Sequence, residues 1–120
     1  QVMPSTGREI ASGLGHRDFS PQDLLRPIVS IEFGAYYLGQ QQRTFDGNLY
    51  FALAAYNGGP GNVLRWSEGI LDADLFFEGI DLTETRSYLK LVLEHYAVYR
   101  DLYGGFDHPT LLVRPNPRAA

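Results

Sequence analysis

One segment of the chain, from Gly47 to Leu64, contains no charged residue and no histidine, although charged residues make up 20% of the sequence. Residues 52–55 in its middle read Ala-Leu-Ala-Ala, so small or apolar side chains cover every face of a helix formed there. A helix that is apolar all round is buried at the centre of a domain. The segment therefore predicts a central helix, which neighbouring helices can approach closely because its side chains are small.

The same helix is expected to end in a polar and glycine-rich segment. Tyr56 and Asn57 follow the alanines, and three of the next four residues are glycines around Pro60. Glycine relieves backbone restrictions and leaves room for another group to approach the main chain. Two interpretations stay open from these residues. The helix either ends with Asn57 as its cap and Tyr56 packed inside, or it delivers both side chains to a ligand surface.

Composition excludes several classes of protein. A chain of 120 residues forms one domain at most, and the absence of cysteine excludes disulfides and thiolate metal sites. A net charge of −4 argues against nucleic-acid binding, which uses a basic surface. No apolar run approaches the ~20 residues that cross a bilayer. His16, His95 and His108 lack metal-ligand spacing, so we expect no metal site. We also expect no other cofactor, and we expect the protein to be a monomer.

Helix signals recur along the first part of the chain, without the alternation typical of strands. Thr6 and Glu9 have the spacing of a capping box, which predicts a short first helix. Ser20 can cap the next helical turn, with Pro21 at its first position and Asp23 in its first turn. Residues 27–45 predict a longer helix, since apolar residues recur there at spacings of three and four. These are Ile28, Ile31, Ala35 and Leu38.

Further helices are expected after the uncharged segment begins, which gives an all-α fold of about six helices. Asp46 or Asn48 can cap the buried helix, and Pro60 can open a short one that runs through Trp66. Residues 72–82 form either a short helix or a loop. Residues 83–103 form the clearest helix, with charged residues on one side and a stripe expected in the core. The stripe comprises Tyr88, Val92, Tyr96, Tyr99 and Tyr103. Residues 107–120 contain three prolines and predict an extended tail.

Two carboxylates stand out by their positions. Glu84 opens the last helix, where the helix dipole favours an acid, so it is either a helix-start residue or part of a ligand surface. Glu32 lies between Ile31 and Phe33 and is either paired in the core or faces water. The residues taken by themselves therefore indicate a small helical domain without a complete catalytic set.

Three segments resemble the soluble lytic transglycosylase domain, a relative of goose-type lysozyme that cleaves bacterial peptidoglycan. They read "QVMPSTG", "ALAAYNGGPGNVLRW" and "ETRSYLKLVLEHYAVY", and they occur in this order at fitting separations. The segment "YYLGQQQRTFDGN" resembles the helix and turn that precede Ala-Ala-Tyr-Asn in the family. The resemblance covers roughly residues 1–103. It departs at Ser30, where Asn is common, and at Gly58, where Ala is common.

The resemblance implies a lysozyme-like α-helical fold with a groove for the glycan strands of peptidoglycan. It implies that Gln1 and Met3 of the first segment line this groove. It places Tyr56 and Asn57 there as well, near the catalytic acid and the sugar, and it adds Glu84 from the last helix. On this interpretation the buried helix delivers Tyr56 and Asn57 to the groove floor, and the glycines keep the groove open.

The family's catalytic residue is a single Glu in a Glu-Ser-x-Phe-like segment ahead of the position of Gln1. No part of residues 1–120 matches that segment, so the resemblance implies that no catalytic residue lies within this chain. We therefore expect residues 1–106 to be the C-terminal portion of a catalytic domain and to be inactive alone. The expected location is the bacterial periplasm, the cell envelope or the exterior.

The implied activity is cleavage of the MurNAc–GlcNAc β-1,4 bond with a 1,6-anhydro product. Most glycosidases use two carboxylates, whereas in this family one Glu protonates the leaving oxygen and the substrate supplies the nucleophile. Three alternatives stay open. They are a glycan-binding module that does not cut, a hydrolytic lysozyme or chitinase of the same superfamily, and a purely structural helical domain.

Overall fold

The computed structural model describes residues 2–70 and 72–103, and every regular element within them is helical. The α-helices are α1 (Pro4–Leu14), α2 (Pro27–Thr44), α3 (Leu49–Gly58), α4 (Pro60–Trp66), α5 (Ala73–Gly79) and α6 (Thr83–Tyr103). A 3-10 helix, Pro21–Leu25, lies between α1 and α2. The predicted all-α fold is therefore confirmed, and residues 72–82, which left helix and loop open, contain a helix. The tail expected over residues 107–120 lies outside the described residues.

Side-chain caps explain where two of these helices begin. The Asn48 side chain accepts a hydrogen bond from the Phe51 backbone N–H at 3.2 Å, so Asn48 is the cap of α3. The backbone N–H of Ser20 donates to Asp23 Oδ2 at 2.8 Å, at the start of the 3-10 helix. Both caps lie at positions that the sequence indicated, because each depends only on neighbours within three residues.

The start of the first helix was predicted wrongly. Met3 is its N-cap and Pro4 is its first residue, so Thr6 and Glu9 lie inside α1 and do not form a capping box. Proline favours the first helical position, because its fixed φ matches the helix and its missing N–H needs no partner there. Pro4 therefore starts the helix ahead of the two residues that have capping-box spacing.

The described residues form two compact units that divide after Gln40. The core of the first unit contains Ile10 and Phe33, both 1% exposed. The ring of Phe19 packs on that of Phe33, with centroids 5.2 Å apart. The residues that surround this core are half-buried, namely Val2, Leu14, Leu24, Val29, Tyr36 and Tyr37.

Helix α3 forms the core of the second unit, where residues 51–55 are all buried. Its Phe51 ring lies 4.5 Å from that of Phe76 in α5, centroid to centroid. Helices α4 and α6 both contact α3, and they bury Val63, Trp66 and Leu89. The central helix predicted from the uncharged segment is therefore confirmed.

The tyrosine stripe of α6 is buried only in part. Tyr88 and Tyr96 are half-buried, but Tyr99 is 62% and Tyr103 67% exposed, and their rings stack 5.7 Å apart. The expectation that the whole stripe lies in the core is wrong. At about 1.5 Å per residue, α3 extends over ~15 Å and α6 over ~31 Å, so the last turns of α6 continue beyond the helix that covers its first turns.

Helix α2 also has apolar residues that face water. Ile28 is 78% and Ile31 71% exposed, while Phe33 is buried and Val29 is half-buried. The apolar spacing identified the helix correctly, but it did not identify the buried face.

None of the helices in the described residues is long and apolar enough to cross a membrane.

Candidate functional site

The polar side chains at the end of α3 lie where the chain turns sharply. Gly59 is the C-cap of α3, and its backbone N–H donates to the Ala55 carbonyl at 2.9 Å. Its φ of +85° lies in a region that favours glycine, and α4 begins directly afterwards at Pro60. Tyr56 and Asn57 are half-buried in the last turn of α3. The cap is therefore Gly59, and the Asn57 side chain has another role.

Asn57 contacts the first turn of α6. The hydroxyl of Thr85 donates a hydrogen bond to Asn57 Oδ1 at 2.8 Å, and Thr85 is only 1% exposed. Because the amide oxygen accepts this bond, the Nδ2 group with its two N–H donors lies on the other side of the amide. The buried threonine thus fixes which end of the amide faces away from α6.

Gly58 allows α6 to approach this end of α3. A Cβ at position 58 would lie 2.8 Å from Thr85 Oγ1 and 3.1 Å from the Trp66 ring. Such contacts are closer than packed side chains tolerate without a shift, so glycine leaves space that Thr85 occupies. Gly58 is one of the two positions at which this sequence departs from the family that it resembles, in which Ala is common there.

Tyr56 contacts the next turn of α6 through its ring. The rings of Tyr56 and Tyr88 stack with centroids 6.3 Å apart and planes 11° from parallel. Burial raises the pKa of both phenols above 10.0, and the neighbouring Tyr56 also contributes to the raised pKa of Tyr88. Both hydroxyls therefore stay protonated at neutral pH, and each can donate a hydrogen bond.

Glu84 is exposed in the first turn of α6, directly before Thr85. The second unit thus brings Tyr56, Asn57 and Glu84 to the same end of the α3–α6 pair. Met3 belongs to the first unit, where it is 67% exposed and caps α1. Gln1 lies outside the described residues. Three of the five residues that the sequence analysis named are therefore neighbours in one unit.

A second group of side chains supports the turn after α3, and the sequence analysis missed it. Arg65 donates two hydrogen bonds to Asp81, from Nη1 to Oδ2 at 2.8 Å and from Nη2 to Oδ1 at 3.1 Å. The Trp66 ring N–H donates to the same Oδ1 at 2.9 Å. The hydrogen bonds from Arg65 hold the pKa of Asp81 below its ordinary 3.8, and that from Trp66 adds to this effect. This group connects α4 to the segment ahead of α6.

The Glu-Thr-Arg motif combines three different functions. Thr85 binds Asn57, while Arg86 donates to the Ile80 carbonyl at 2.6 Å, just after α5. Glu84 is exposed to solvent, and none of the side-chain hydrogen bonds described here involves its carboxylate. The adjacency of Thr85 and Arg86 to Glu84 was the one signal in the sequence that pointed to these contacts.

The family model of the transglycosylase SLT domain matches residues 1–72. The chain belongs to this family. It is 40% identical over 116 residues to a soluble lytic murein transglycosylase of Escherichia coli K12, which covers 93% of this chain and 18% of that protein. A Salmonella typhimurium LT2 protein of the same description is 41% identical over 108 residues, covering 87% and 17%. The chain thus spans less than a fifth of the length of these relatives.

A solved structure agrees with the fold of this SLT-family chain. It is the lytic transglycosylase Slt from Pseudomonas aeruginosa, crystallised as an inactive glutamate-to-glutamine mutant. The TM-score is 0.80 at 37% sequence identity, and the match covers 95% of this chain and 18% of the other.

The acidic residues that the structure of this SLT-family chain describes do not have the burial that general acid catalysis needs. A carboxyl that donates a proton near neutral pH has a raised pKa, usually through burial. In residues 2–70 and 72–103 no Asp or Glu is buried, and only Asp23 is half-buried. Glu32 faces water beside His16, with 3.6 Å between Oε1 and Nε2. Within the same ranges, no three His, Asp or Glu side chains are grouped so that they could hold a metal ion.

Proposed function

We propose that residues 1–106 are the C-terminal portion of the catalytic domain of a peptidoglycan lytic transglycosylase. The enzyme cuts the MurNAc–GlcNAc β-1,4 bond and leaves a 1,6-anhydro end. The observation that supports this most is the 2.8 Å hydrogen bond from Thr85 to Asn57. It brings the Ala-Ala-Tyr-Asn and Glu-Thr-Arg segments, which are far apart in sequence, to one end of the second unit.

In this proposal the end of α3 binds the glycan strand. Asn57 offers two amide N–H groups, and Tyr56 offers a protonated phenol, both suited to acetamido and hydroxyl oxygens of the sugars. Glu84 offers a carboxylate that accepts hydrogen bonds from sugar hydroxyls. Gln1 and Met3 complete the proposed set of substrate-binding residues. The glycine-rich turn lets the sugar approach the main chain closely.

The proposed reaction uses one acid that lies outside the described residues. Its carboxyl protonates the glycosidic oxygen, so the bond from that oxygen to C1 of MurNAc breaks and GlcNAc leaves. The 6-hydroxyl of the same MurNAc attacks C1, and its proton passes to the carboxylate. An intramolecular hydroxyl competes well with water because it is held at high effective concentration. The segment from Gly47 to Leu64 contains no carboxylate to activate water instead.

We further propose that the protein acts in the cell envelope, as a monomer, with peptidoglycan strands as its partner. The relatives are described as soluble lytic murein transglycosylases, and murein is found there. Residues 1–120 alone should release no soluble fragments from purified murein, since the acid is missing from the described part. Size-exclusion chromatography with light scattering should give the mass of one chain.

Mass spectrometry of a murein digest tests the reaction. A longer protein that contains residues 1–120 together with the acid should release fragments lighter by one water than hydrolysis products, without new reducing ends. Reducing ends would instead identify a hydrolase, and the proposed product would be wrong. Tight binding to murein without any release of fragments would identify a glycan-binding protein. Release of fragments by residues 1–120 alone would refute the proposal that the acid lies elsewhere.

A further inference from the structure

The first unit contains a concave surface that the proposed reaction does not use. It is a cleft of about 550 Å³ at the C-terminal end of α1. Its polar wall consists of Arg8, Ser12, His16 and Arg17, and its apolar part includes Ala11 and Phe19. We call it the arginine cleft. Its volume lies within the ~300–1,000 Å³ that is usual for pockets that bind small ligands.

The local structure explains why these side chains line one cleft. Arg8 and Ser12 are four residues apart on α1, so they share a face of the helix. Gly15 then ends α1 with a φ of +77°, and the His16 N–H donates back to the Ala11 carbonyl at 2.9 Å. This turn brings the chain after α1 back toward the same face, which places His16 and Arg17 beside Arg8.

The arginine cleft is positive in a chain whose net charge is −4. Arg8 and Arg17 are charged at every physiological pH, and no Asp or Glu lines the cleft. The carboxylate of Glu32 in α2 lies 3.6 Å from His16 Nε2 and so offsets part of this positive charge. The last carbonyls of α1 add about half a negative charge, which the two guanidinium groups exceed.

We propose that the arginine cleft binds the carboxylates of the peptide stems of peptidoglycan. Guanidinium groups bind carboxylates through two parallel hydrogen bonds, and the Ser12 hydroxyl can donate another. The apolar surface of Ala11 and Phe19 accepts a small side chain such as that of alanine. This inference rests on the proposed function, because it takes the substrate to be peptidoglycan.

Isothermal titration calorimetry of residues 1–120 tests the inference without any need for cleavage. The probe is a synthetic murein tetrapeptide, and its control is the same peptide with every carboxylate converted to a carboxamide. The free acid should bind, and the carboxamide should bind at least about tenfold more weakly, since charge-assisted hydrogen bonds are about twice as strong as neutral ones. Raising the salt concentration should weaken binding, because exposed charges are screened.

The variant pair R8Q/R17Q should lose about tenfold or more in affinity for the tetrapeptide, because two charge-assisted contacts are removed. The matched control R26Q/R43Q removes two exposed arginines outside the cleft and should bind like the wild type. Equal losses in both pairs would mean a general charge effect and would overturn the inference. Unchanged binding by R8Q/R17Q would overturn it as well.

Two further binding experiments are needed. The first distinguishes a peptide carboxylate from a phosphate as the bound anion, and the second distinguishes the arginine cleft from the glycan groove. Inorganic phosphate should bind more weakly than the tetrapeptide, and equal or tighter binding would overturn the assignment to peptide stems. Binding to murein stripped of its peptides reports on the glycan groove alone. If residues 1–120 bind the stripped glycan but not the tetrapeptide, only the proposal for the arginine cleft is contradicted. If they bind the tetrapeptide but not the stripped glycan, the proposal for the glycan groove is contradicted.

Discussion

Thr85 donates its hydroxyl to Oδ1 of Asn57 across 2.8 Å, although 28 positions separate the two residues in the chain. Thr85 is buried, and Asn57 lies half-buried at the last turn of α3. The bond therefore holds one of the proposed sugar-binding groups in a fixed orientation, and the energetic consequences of its removal can be measured.

The substitution Thr85→Val removes the hydroxyl while it keeps the shape of the side chain. We expect a loss of about 1–2 kcal/mol in the free energy of unfolding, since the Asn57 amide oxygen loses its donor. In the active, longer protein, kcat/KM on murein should fall by about tenfold, the equivalent of one hydrogen bond. Thr85→Ser should recover most of both quantities. If the serine variant is stable but as slow as the valine variant, the hydroxyl does not orient Asn57.

The substitution Tyr56→Phe removes only a phenolic hydroxyl and leaves the ring stacked on Tyr88. We expect turnover of the active protein to fall clearly, while the free energy of unfolding changes by about 1 kcal/mol or less. Tyr88→Phe is the matched control, because Tyr88 is also half-buried and its pKa is raised in the same way. The control should keep its activity. Equal turnover in Tyr56→Phe and the wild type would leave Tyr56 with a packing role only.

The substitution Glu84→Gln separates a helix-start role from a ligand role. Loss of the acid from the first turn of α6 should cost about 0.3–1 kcal/mol in unfolding free energy through the helix dipole. If Glu84 also binds sugar, KM on murein fragments should rise while kcat changes little. Glu94→Gln, an exposed change in the middle of α6, is the control for charge. Steady-state kinetics that match the wild type would assign Glu84 to the helix start alone.

The Arg65–Asp81 pair should make stability depend on pH at the acidic end. Because hydrogen bonds from Arg65 lower the pKa of Asp81 in the folded protein, its contribution is fully present above the ordinary value of 3.8. The contribution is lost as pH falls through the folded pKa. Urea unfolding should therefore show Asp81→Asn less stable than wild type at neutral pH, with a difference that narrows below about pH 4. A gap that stays constant down to pH 2 would contradict this assignment.

Much of the fold followed from the sequence because it depends on neighbours along the chain. The Asn48 cap, the turn at Gly59 and Pro60, and the long helix α6 each depend on residues within a few positions. The absence of charge from Gly47 to Leu64 was enough to predict a buried α3, because burying an unpaired charge has a large cost in free energy. For the site, the family motifs named Tyr56, Asn57 and Glu84.

The tertiary structure decided which faces are buried and which distant side chains meet. The apolar residues of α2 allow either the face with Ile28 or the face with Phe33 to be buried. Only Phe33 is buried, because α1 covers its face of α2 and not the face of Ile28. The partners Asn57 and Thr85 meet only when α6 packs on α3. Helical periodicity determines which residues share a face, but packing between helices determines which face is buried.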